Sequence, residues 1–78
     1  MISISYEELV ARLLAEIRRQ PGCEGVTNVS LHRVIDERAE NNWSVGFVTC
    51  GKALPGPANR AAIYAAAKLK QDFNLLTN

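Results

Sequence analysis

Apolar residues recur first at helical spacing, then at every second position, then at helical spacing again. The first pattern predicts a helix over residues 6–20. Tyr6, Leu9 or Val10, Leu13 and Ile17 repeat at intervals of three and four, and Leu14 widens the stripe. Ser5-Tyr6-Glu7-Glu8 has the form of a capping box, in which the Ser5 hydroxyl accepts the Glu8 N–H and the Glu8 side chain returns to Ser5. Ile4 and Leu9 flank the cap as a hydrophobic staple, and Glu8 and Arg12 stand four apart in the favourable order. Arg18 and Arg19 sit where the helix dipole favours cations, and Pro21-Gly22 stops the run.

Residues 26–35 and 43–50 both alternate, and the polar segment DERAENN separates them, which predicts an antiparallel hairpin. Strict alternation assigns Val29, Leu31, Ile35, Trp43, Val45 and Phe47 to an inner face and Val34, Val48, Cys50 and His32 to the outer one. After the turn-rich GKALPGP, Pro57 to Phe73 reads as a second helix with proline in its first turn and Ala62, Ala65, Ala66, Leu69 and Phe73 on its inner stripe. The fold class expected is α+β: one αββα domain over residues 1–78, with both helices packed on one face of the hairpin. Met1 to Ile4 fit either a short extra strand or a free end.

Composition sharpens this picture at one point. About half of the 78 residues are apolar, but much of that is alanine and only five are aromatic, so the core rests on few large side chains. Chains this short bury only about 60–65% of their unfolded surface, and oligomerisation is a common remedy. The net charge of +1 excludes the concentrated basic surface of a general nucleic-acid binder. It is unevenly spread: residues 1–50 carry five basic and seven acidic groups, residues 51–78 four and one. The N-terminus lacks the pattern of a secretory leader, no apolar run approaches membrane-spanning length, and a cytoplasmic location is expected.

Candidate chemistry is sparse. GFVTCGKA, residues 46–53, resembles the phosphate loop G-x-x-x-x-G-K-[ST], but Ala53 supplies no hydroxyl for Mg²⁺ and Phe47 to Cys50 continue a strand where the motif needs a turn. His32, the lone histidine, has no pocket around it on an open sheet face. Trp43 reads as the largest core anchor. Cys23 and Cys50 fall at the same end of the hairpin, which allows a disulfide in space, while a cytosolic location keeps thiols reduced. Asp36, Glu37 and Glu40 read as a solvated turn without calcium-loop spacing. No catalytic set, cofactor or metal is expected, and the chain does not read as an enzyme.

The capped helix, the run RRQPGCEGV, the strand NNWSVGF and the Ala-rich helix closing in LKQDFNLL resemble a group of short bacterial proteins of about 80 residues with no assigned function. That resemblance implies an αββα fold and a bacterial source, and no activity. The element order is also similar to the double-stranded-RNA-binding domain. Here there are two strands instead of three, and Arg60 alone stands where that domain clusters lysines, so no RNA-binding residues carry over.

Two functional expectations follow. The first is a non-enzymatic protein–protein interaction module that forms a homodimer through its sheet, with Val34, Val48, Cys50 and His32 at the interface, because the strands of a two-stranded sheet are both edges. The second is weak binding of nucleic acid or phosphate, with Lys52 and Arg60 as anion contacts near the start of the second helix and Lys68 and Lys70 further along it.

Overall fold

A computed structural model describes residues 2–35, 38 and 41–76; the acidic cluster Asp36, Glu37 and Glu40 lies outside the described residues. The chain runs β1 (Ile2–Ile4), α1 (Tyr6–Arg18), β2 (Asn28–Arg33), β3 (Trp43–Thr49), α2 (Pro55–Lys70) and β4 (Phe73–Leu75). It is an α+β protein with two helices and four strands in two sheets: β2 and β3 pair antiparallel, and β1 and β4 pair parallel. The order is therefore βαββαβ instead of the expected αββα. Ile2 to Ile4 form a strand, and Phe73, expected as the last inner residue of the second helix, belongs to its partner strand.

The Ser5 hydroxyl accepts the Glu8 N–H at 3.2 Å and starts α1, which buries Leu9, Leu13 and Ile17. On α2 the buried stripe is Ala58, Ala61, Ala62, Ala65, Ala66 and Leu69. Five alanines in six positions let the helix backbone lie close to its neighbours, while Trp43, fully buried, fills the space that small residues leave. Helix α1 packs on β2 and α2 packs on β3. Asn42 joins the two sheets. Its Oδ1 accepts the Leu75 N–H at 2.8 Å and its Nδ2 donates to the Leu75 carbonyl at 2.9 Å, so one side-chain amide replaces the peptide group of a neighbouring strand. The Trp43 indole N–H adds a bond to the Phe73 carbonyl at 3.0 Å.

The hairpin departs from strict alternation at one place. Val29 lies opposite Val48 and Leu31 opposite Val45, so Ser30 alone faces both Gly46 and Phe47. This is a β-bulge. The Ser30 hydroxyl accepts the Phe47 N–H at 2.9 Å and donates to the Phe47 carbonyl at 3.4 Å. A Cβ on residue 46 would stand 2.6 Å from that hydroxyl oxygen, which is why glycine occupies the site. Beyond the bulge every side chain changes face. Val48 and Cys50, expected on the outer face, are half-buried and pack against the core; Phe47, expected inside, is 69% exposed. Ile35 was also expected inside, but the ladder ends at Arg33 and Ile35 is 95% exposed.

Candidate functional site

The two edges of the hairpin are not equivalent. Val34 donates its N–H to the Asn42 carbonyl at 2.9 Å, which fixes the phase of the ladder. Pairs alternate between those that exchange bonds and those whose backbone groups turn away. Leu31 and Val45, opposite each other, are of the second kind. On the β2 side two outward N–H groups are closed by side chains. Leu31 N–H donates to the Tyr6 hydroxyl at 3.0 Å, and Val29 N–H to Asn28 Oδ1 at 2.9 Å. The Arg18 guanidinium covers the preceding carbonyls of Val26 (2.9 Å) and Thr27 (3.4 Å). On the β3 side, the outward N–H and C=O of Val45 have no partner among the described residues. Tyr6→Phe is expected to cost about 1 kcal/mol of stability, because it strips one of these caps, as read by the urea midpoint.

Beside that open edge lies a groove of about 240 Å³ lined by Ser44, Val45, Ile63, Ala66, Ala67 and Lys70. Helix α2 sets its far wall. Ile63, 69% exposed, and Ala67 follow one another at helical spacing, and Lys70 continues the row with its ammonium 5.5 Å from the centre of the Trp43 ring. Strand β3, WSVGFVT, holds no charge and no proline, the residues that guard exposed edges in other sheets. The arrangement has the features that receive an additional strand: free backbone groups, and an apolar channel for alternate side chains.

The chain matches no family model, no curated protein and no solved structure.

The residues singled out from the sequence fall in different places. His32 is exposed on the outer face opposite Ser44, near Gly46, and Val34 is half-buried beyond the end of the strand. Val48 and Cys50 have moved inward. Phe47, which period-two reading placed inside, takes their place on the solvent side. Lys52 is exposed in the turn that Ala53 N–H closes onto the Cys50 carbonyl at 2.9 Å. Its neighbour Gly51 has φ +57°, and a Cβ there would collide with the Gly25 carbonyl oxygen. Arg60 is exposed as well and lines a separate open hollow of about 430 Å³ with Gln20, Cys23, Pro57 and Tyr64. Among the described residues Lys52 and Arg60 make no ion pair, whereas Lys68 binds Glu16 at 3.2 Å and Lys70 covers Trp43. The structure does not bring Lys52 and Arg60 together, and α2 starts at Leu54 without a side-chain cap.

Both cysteines are free, and the buried Cys23 thiol is 3.7 Å from the Pro57 carbonyl. Among the described residues no group of His, Cys, Asp and Glu is arranged to hold a metal, and no helix is long and apolar enough to cross a membrane.

Proposed function

We propose that this protein is a non-enzymatic protein–protein interaction module that accepts an additional β-strand at the open edge of β3. The observation that carries the reading is the edge of β3, where Val45's backbone groups are free beside a groove, while on the other edge Tyr6 and Asn28 take the outward N–H groups of Leu31 and Val29. Burying an unpaired peptide group costs about 1–3 kcal/mol, so a bare edge next to apolar surface gains most from a partner that supplies backbone bonds and side chains together.

Amide hydrogen exchange tests this directly. The Val45 N–H is expected to exchange at the rate of an exposed amide in dilute protein and to become protected, by at least tenfold, when the partner is bound. If the Val45 amide stays unprotected in every complex the protein forms, the edge is not the site. Binding of phosphate or nucleic acid is the second reading. It rests on Lys52 and Arg60 carrying charge without an ion-pair partner.

A further inference from the structure

We propose that the open hollow between the end of α1 and the first half of α2 binds a small aromatic carboxylate. The site is independent of strand addition, since it shares no lining residue with the groove beside β3. At about 430 Å³ it falls within the range of small-molecule sites, roughly 300–1,000 Å³, which combine apolar walls with a few orienting polar groups. Cys23 and Ala61, both buried, form its floor, and the Cys23 thiol donates to the Pro57 carbonyl at 3.7 Å. Pro21 and Pro57 add apolar ring surface, and the Tyr64 ring, 63% exposed, offers an aromatic face for stacking.

Three polar groups complete the lining: the Gln20 amide, the Tyr64 hydroxyl and the Arg60 guanidinium. None of them has a partner among the described residues. Arg60 and Tyr64 stand one turn apart on α2 and so share a face. The guanidinium reaches back toward the first turn of that helix, its Nη1 3.7 Å from where a Cβ on Gly56 would stand. Charge sets the class of ligand. Among the described residues of the lining Arg60 alone is charged. It offers one positive charge in a planar fork, which a carboxylate meets with two parallel bonds. A phosphate monoester carries about 1.5–2 negative charges at neutral pH and would leave part of its charge unmatched. A carboxylate without a ring would leave the floor of Cys23 and Ala61 uncovered. A monoanion that carries an aromatic ring satisfies both parts of the hollow.

Titration with sodium benzoate, followed by the amide resonances of the whole chain, tests the proposal. Saturable shifts are expected at Arg60, Ala61 and Tyr64, with Val45 unmoved. Acetate and benzyl alcohol, each carrying half of the ligand, are expected to bind more weakly than benzoate by on the order of tenfold. Arg60→Gln is expected to weaken benzoate by a similar factor and to leave benzyl alcohol unchanged; the side chain is exposed and without an ion pair, so its replacement spares the fold. A tripeptide ending in phenylalanine separates the two sources of this chemistry: tighter binding than benzoate assigns the site to a chain terminus, weaker binding to a free acid. Equal responses to acetate and benzoate would overturn the proposal, leaving an adventitious ion only. Tighter binding of phenyl phosphate would overturn the single-charge match, and the absence of saturable shifts up to the solubility of benzoate would remove the site.

Discussion

Trp43→Ala is expected to remove about half of the chain's stability at 25 °C and to lower its urea midpoint in proportion. The indole is fully buried, donates to the Phe73 carbonyl, and lies beneath the Lys70 ammonium. Truncating a buried tryptophan costs about 3–5 kcal/mol, because transfer and cavity terms add. A chain of 78 residues has in total about 4–12 kcal/mol at the usual 0.05–0.15 kcal/mol per residue. The surrounding stripe of α2 is mostly alanine, and alanines cannot reach into the void. Urea denaturation followed by circular dichroism reads the result; a variant that keeps a sharp transition near the original midpoint would show that the core does not depend on this side chain.

Asn42→Ala is the second large effect, and its site is local. The substitution removes both bonds between the Asn42 amide and Leu75 and leaves the N–H and C=O of a buried residue without partners. Each unsatisfied group costs about 1–3 kcal/mol, so the loss for the two should be roughly 2–6 kcal/mol in all. The pair β1–β4 is expected to open before the rest, seen as faster amide exchange at Leu75 with little change at Leu31. Equal acceleration at both positions would mean that the two sheets open as one unit and that Asn42 is not a separate hinge between them.

Much of the fold could be read locally because its signals are local. Ser5 and Glu8 lie within one helical turn, and the alternation on either side of the hairpin turn is continuous up to Gly46. Phe47 was misplaced because period-two reading assumes one residue opposite one residue. The bulge breaks that count through Ser30, a residue 17 positions away, and no local pattern around Phe47 records it. Strand β4 was hidden for another reason. Leu69 and Phe73 stand four apart, as on a helix, yet α2 ends at Lys70 and three residues of strand are stabilised only by a distant partner.

The candidate edge was half legible. Exposed edges follow from a hairpin, and the sequence alone makes the two equal. What separates them is Tyr6 and Arg18 reaching over from α1 and Asn28 folding back on its own strand. In the helical pattern Tyr6 reads as an apolar stripe residue. Its hydroxyl, not its ring, proves to be the part that matters for the edge.

The parallel pairing of β1 with β4 has a consequence for the order of events during synthesis. Ile2 faces Phe73, so the two strands that complete this sheet are made about 70 residues apart. Closing so long a loop costs about 2 kcal/mol more in chain entropy than closing the hairpin between Val34 and Asn42, on logarithmic scaling with loop length. The hairpin and both helices can therefore assemble while the first strand is still waiting for its neighbour. Ile2–Ile4 then acts as a clasp fastened last, when Leu76 N–H reaches the Ile4 carbonyl at 2.7 Å. Shortening the chain by the few residues after Asp72 removes two strands at once, because among the described residues the first has no other strand to join.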